Sequence, residues 1–184
     1  VPVEVASDKR EYAARTIRSK LNEKAEDYLE DLATTSIEKN SLALSIEGED
    51  LTDVDRLLQK LSLDRSVEPV SEFTGGTSNA KSQLRQFIKN RLSSYDDRTD
   101  LVDERVSYLS PYLHFGQISP LQIALEIDSA SIDKDQKESF LEELIVRREL
   151  AINFVHYETD YDSINALPDW AAETLEQHED DSRQ

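Results

Sequence analysis

The most regular apolar patterning in the chain runs from Phe140 to Phe154, FLEELIVRRELAINF. On a helical wheel Phe140, Leu141, Leu144, Ile145, Val146, Leu150, Ala151, Ile152 and Phe154, with Val155 just beyond, reach almost all the way round, which predicts a central, buried helix. Glu142, Glu149 and Asn153 form one polar strip. Glu143 and Arg147, four apart, fall instead in the stripe that carries Phe140, Leu150 and Phe154. Two readings of that pair stand at this point. It is either a helix-surface ion pair contributing about 0.2–0.5 kcal/mol, or a carboxylate and guanidinium that line a cavity and hold a polar ligand.

The rest of the pattern is also mostly helical. Val1 to Val5 alternates like a short strand, which Pro2 restricts to a strand start or edge. Ser7 is placed to cap a helix carrying Ala13, Ile17, Leu21, Ala25, Tyr28 and Leu29 on one face. Residues 34–50 are polar and poorly periodic, a shorter helix is predicted around Leu51 to Leu61, and the following polar run with Pro69 reads as connector. Gly75 and Gly76 make a turn. With no Lys-Ser/Thr after them they are no phosphate-binding P-loop.

A helix is predicted from about Asn79 to Ser94, its face made by Ala80, Leu84, Phe87, Ile88 and Leu92, with Tyr95 at its end as a core aromatic or a ligand contact. Ser110-Pro111 reads as a capped helix start, closed by Gly116. Its first turn, beside the hydroxyls of Ser107 and Ser110, is either an anion site or an ordinary capped terminus. Ser119 and Gln122 form a capping box, with Ile118 against Ile123 as a staple. The region 128–137 is a polar connector before the central helix, and Trp170 opens a last helix to about Gln177.

Composition narrows the class. A chain of 184 residues with 38% hydrophobic content supports one ordinary domain or parts of two. No run is long enough to span a membrane, and no signal peptide is recognisable. There is no cysteine, and His114, His156 and His178 are scattered, so neither disulfides nor a metal site is expected. An intracellular location is the simplest reading, cytoplasmic, or nuclear in a eukaryotic source. The absence of methionine suggests a fragment.

The net charge of −18 argues against general nucleic-acid affinity. Acids dominate Glu47 to Glu72 and Glu158 to Asp181, but Lys81, Arg85, Lys89, Arg91, Arg98 and Arg105 interleave with acids elsewhere and leave room for a local basic path. The acidity also fits a protein kept soluble in a salt-rich cytoplasm.

In Phe140 to Phe154, the order of Phe140, Glu142, Glu143, Ile145, Val146, Arg148, Glu149, Leu150, Asn153 and Phe154 resembles the first signature of class II DNA photolyases. SYLSPYLHFGQIS, from Ser107 to Ser119, is similar to that family's flavin-contacting segment. EYAARTIR, from Glu11 to Arg18, resembles the stretch that leaves its N-terminal α/β domain.

The resemblance implies a mainly α chain, the N-terminal half of the helical FAD-binding domain. Residues 1–6 would be the last strand of a truncated α/β domain, 7–78 a helical connector, and 79–184 part of the catalytic domain. It implies noncovalent reduced FAD, an unassigned antenna chromophore, no metal, a monomer, and repair of cyclobutane pyrimidine dimers in double-stranded DNA.

By the same resemblance Glu143 would be catalytic, contacting the lesion's base edge. Tyr95, Ser107, Leu109, Ser110 and Phe140 would bind the cofactor, and Arg98, Arg147 and Arg148 would lie near DNA or lesion. Arg147 stands where some relatives carry tryptophan, and Val106 where many carry threonine. The family's second signature is absent, so this stretch is expected to bind FAD weakly or not at all alone. The alternatives are a cryptochrome-like flavin photoreceptor without repair activity, and an acidic helical interaction module.

Overall fold

A computed structural model describes residues 1–31, 33, 35–99 and 105–182, with backbone alone at 97–99. Among the described residues the regular structure is helical, in agreement with the mainly α expectation. The elements are α1 (Val3–Ala6), α2 (Ala14–Ala25), α3 (Val54–Gln59), α4 (Thr77–Asn90), a 3-10 helix (Leu92–Thr99), α5 (Ser110–His114) and α6 (Pro120–Asp128). They continue with α7 (Lys134–Leu141), a π-helical turn (Glu142–Arg147), α8 (Arg148–Tyr157), a 3-10 turn (Ile164–Ala166) and α9 (Asp169–Gln177).

Packing divides the chain into two units. Residues 1–31 and 76–184 form one; residues 32–75 form the other. The smaller unit holds α3, which buries no side chain and is capped by Asp53 accepting from the Arg56 amide at 3.0 Å. Its regular structure rests on local hydrogen bonds. The segment 7–31, by contrast, packs with the helices that follow residue 76.

The central run from Lys134 to Tyr157 organises the larger unit. The 3-10 helix lies along α7, α2 packs against the π-turn, and α1 packs on both α2 and α8. Ala6, Ala14, Ile17, Leu21 and Val146 form one apolar cluster, with Val1 and Leu150 packed at its edge. An aromatic cluster forms where α4, the 3-10 helix and α7 meet. Ring centroids of Phe87 and Phe140 lie 4.9 Å apart, and Tyr95 stands edge-on to both at 5.7 and 5.2 Å. Ile118 and Ile123 are both buried, as a hydrophobic staple requires.

Several local expectations are corrected. Val3–Ala6 is a helical turn instead of a strand, because it buries Ala6 beside α2 and closes amide bonds from Val5 and Ala6 to the Pro2 carbonyl. α2 begins only at Ala14, so Ser7 is no cap; its hydroxyl donates to Glu11 at 2.7 Å and accepts from Lys20. Ser110 is the first helical residue of α5 and caps nothing. The Ser119 hydroxyl accepts from the Leu121 amide at 3.2 Å, while the Gln122 amide turns to Glu126, so only half of the expected capping box forms.

Candidate functional site

The π-turn explains where the polar residues of the central helix go. One extra residue in a turn shifts the phase of everything after it by about 100°. Before the turn Phe140 is buried, as the wheel predicts; after it Leu150 and Phe154 are only half-buried, while Glu149 and Asn153 are buried. The expected polar strip is therefore partly an inner face. Glu143 and Arg147, expected in an apolar stripe, are instead exposed, and Arg147 Nε lies 3.6 Å from a Glu142 oxygen.

Glu142 is held from a second side. Arg18 of α2 donates from Nε to Oε2 at 2.9 Å and from Nη2 to Oε1 at 2.7 Å. This planar, two-bond pairing keeps the Glu142 carboxyl below the usual carboxylate range, and it raises the Arg18 guanidinium further. Sequence inspection missed Arg18. A partner 124 positions away has no helical spacing to reveal it, and the only signal was its place in the Glu11 to Arg18 run.

Asn153 is a fixed structural residue. Fully buried, it accepts from the Glu11 amide at 2.7 Å and donates to the Lys9 carbonyl at 3.0 Å. Tyr157 donates to the Ser7 carbonyl at 2.6 Å, and Arg10 pairs with Glu158 and lies over the Phe154 ring at 4.9 Å. Residues 7–11 are thereby laced along α8.

The proposed cofactor contacts fall in two groups. Tyr95 and Phe140 are 7% and 4% exposed and pack against Phe87, so each ring offers a cofactor only a narrow edge. Ser107, Leu109 and Ser110 lie on the segment entering α5: Leu109 is buried, Ser107 half-buried and Ser110 exposed. Gln83 fixes this segment by donating to the Ser107 carbonyl at 2.8 Å, and the Ser107 hydroxyl accepts from the Leu109 amide at 3.3 Å.

Between them Tyr108 sits in the left-handed region, φ 59°, a costly conformation for a bulky residue. The Arg91 guanidinium lies 5.2 Å from its ring, with Nε and Nη2 buried and without a hydrogen-bond partner. Orphaned cationic donors next to the segment that carries Ser107 and Ser110 are the donor chemistry an anionic group such as a phosphate requires.

The remaining predictions divide. Arg148 pairs with Glu149 at 2.9 Å, and both line a cavity of about 210 Å³ with Val1, Tyr28, Leu121 and Ala124. The Arg98 side chain lies outside the described residues. No cluster of metal-ligating side chains occurs among the described residues, and no helix there is long and apolar enough to cross a membrane.

Fold and site together define a helical domain whose central helix is interrupted by a π-turn that presents a carboxylate and a guanidinium on an open face. No family model matches the chain. It is 43% identical over 185 residues to the deoxyribodipyrimidine photo-lyase of Methanothermobacter thermautotrophicus, 38% over 185 residues to that of Potorous tridactylus, and 36% over 192 residues to that of Arabidopsis thaliana. Each match covers all of this chain and 40%, 34% and 38% of the relative, respectively. The chain is thus similar along its whole length to proteins named deoxyribodipyrimidine photo-lyase, and it spans two fifths or less of the curated relatives it matches.

Proposed function

We propose that this chain supplies the first half of the flavin- and lesion-binding helical domain of a class II photolyase, which repairs cyclobutane pyrimidine dimers in double-stranded DNA. The observation that carries the reading is the exposure of Glu143 and Arg147, four residues apart on the central helix, within a chain similar along its whole length to photo-lyases. In the domain plan, residues 1–6 end a preceding α/β domain and 7–78 connect it to 79–184, with 7–31 packed on the catalytic helices.

Ser107 and Ser110, with Tyr95, would hold the phosphates of noncovalent FAD, and Leu109 and Phe140 would border it; the donor chemistry around Arg91 and Tyr108 fits that assignment. When bound and reduced, FAD supplies on illumination the electron that opens the cyclobutane ring. Glu143 would donate a hydrogen bond from its carboxyl group to the lesion's base edge and so favour the electron-rich form of the base. Arg147 and Arg148 would hold the flipped-out dimer by charge and by stacking of the planar guanidinium.

The net negative charge does not preclude DNA contact, because exposed Arg85 and Lys89 on α4, with Arg147 and Arg148, and Arg98 by its sequence position, provide local cations. The enzyme would act as a monomer inside the cell. The test is the visible absorption spectrum of the full-length protein, followed by illumination with DNA that contains thymine dimers. A flavin spectrum with light-dependent loss of dimers is expected. Flavin without repair would turn the reading to a cryptochrome-like photoreceptor, and folded protein without flavin would remove both.

A further inference from the structure

We propose that Arg18, on α2 and far from the signature in sequence, is a positioning residue for the face that carries Glu143 and Arg147, acting through Glu142. The inference rests on the lesion-binding reading of that face. Glu142 is the first residue of the π-turn, and Glu143 follows it directly. Both Glu142 oxygens are engaged by Arg18, at 2.9 and 2.7 Å, and the oxygen that receives Nη2 is also the one 3.6 Å from Arg147 Nε.

Arg18 does not stand alone in holding the turn. Ile17 and Leu21, on either side of it in α2, share a buried cluster with Val146. α2 therefore grips the π-turn twice, by an apolar contact at Val146 and by a two-bond ion pair at Glu142. π-turns are rare and their hydrogen bonding is poor, so they persist where surrounding contacts impose them, frequently at functional sites.

Charge gives the pair a second consequence. Glu142 and Glu143 are adjacent carboxylates in sequence, and Glu142 lies beside the exposed Arg147 guanidinium. Were Arg18 absent, Glu142 would compete for Arg147 and draw it away from the open face. With Arg18 neutralising Glu142, Arg147 is tethered through Nε alone, and its side chain stays 54% exposed. Arg18 thus holds the turn from which Glu143 projects and leaves the Arg147 fork for a ligand.

The experiment compares Arg18→Gln, Arg18→Lys, Glu142→Gln, Arg18→Gln/Glu142→Gln and Glu143→Gln in the full-length protein. It reads repair yield per absorbed photon, flavin content, thermal midpoint, and amide hydrogen exchange across residues 142–147. Arg18→Gln is expected to lower the yield by about 10- to 100-fold, up to the scale of a misplaced reacting group, with flavin content kept. Exchange should rise in the π-turn and stay unchanged in α4.

Arg18→Lys should restore only part of the yield, because an ammonium cannot make the two-bond fork. The double variant should be no worse than Arg18→Gln. Unchanged exchange and yield in Arg18→Gln, or a yield that falls only with the folded fraction, would overturn the proposal. Full yield in Glu143→Gln would instead sink the lesion-binding reading, and the exchange measurement would then decide the Arg18 role by itself.

Discussion

Glu11 shows how a single carboxylate ties local chemistry to stability. Burial pushes its carboxyl up, but hydrogen bonds from Lys20 and Ser7, together with the Lys20 charge, outweigh burial and hold it down at about 2 against an ordinary value of 4.5. A carboxyl depressed in the folded state contributes stability that is fully present above its unfolded value and is lost as pH falls toward its folded one. The contribution of Glu11 should therefore disappear between about pH 4.5 and about pH 2. Urea unfolding across that window should show a steeper loss of stability in the native sequence than in Glu11→Gln. Parallel curves would mean the carboxylate is not coupled to folding. Glu143 is the contrasting residue, exposed and proposed to contact the lesion. In the full-length protein Glu143→Gln should lower repair yield by about 10-fold or more while leaving affinity for dimer-containing DNA nearly intact, the pattern of an interaction made mainly in the transition state. An unchanged yield would remove it from the mechanism.

At the scale of elements, the aromatic cluster is the joint that brings α7 against α4 and the 3-10 helix. Phe87 is fully buried and touches both Tyr95 and Phe140. Phe87→Ala should destabilise the larger unit by about 3–5 kcal/mol through the cavity it leaves, read as a lower urea midpoint with unchanged slope. A loss under about 1 kcal/mol would show that the cluster collapses to fill the space. Much of this was legible beforehand. The apolar spacing of Ala80, Leu84 and Phe87 announces α4, and the near-continuous apolar surface of Phe140 to Phe154 announces a central helix. The phase of that helix was not legible, because a π-turn changes which carbonyl each amide meets and leaves no mark on residue spacing. Glu149 and Asn153 were consequently placed with the polar strip. The partners of Asn153 explain the rest: they are a backbone amide and a carbonyl in residues 9–11, and backbone groups carry no residue identity to be read. Ser7 failed as a cap for a related reason. Its hydroxyl found a buried carboxylate and ammonium, stronger partners than a helix amide.

For the molecule as a whole, the relevant quantity is the excess of 39 acidic over 21 basic residues. Several cations are already committed: Arg10 to Glu158, Arg18 to Glu142 and Lys20 to Glu11. The unmatched carboxylates repel one another at low ionic strength and oppose the compact state. Added salt acts in two directions. It weakens the ion pairs, but exposed pairs contribute only about 0–1 kcal/mol each. It also shortens the reach of the repulsion, from about 10 Å at 0.1 M to about 3 Å at 1 M. With a net charge of −18 the second effect should dominate, so the thermal midpoint should climb as sodium chloride is raised over that range. Sodium sulfate at matched ionic strength separates screening from the general salting-out of apolar surface. Equal gains in the two salts would identify repulsion among carboxylates as the cause. A gain in sulfate alone would assign the effect to apolar burial, and a midpoint that falls in chloride would show that the ordered ion pairs outweigh the excess charge.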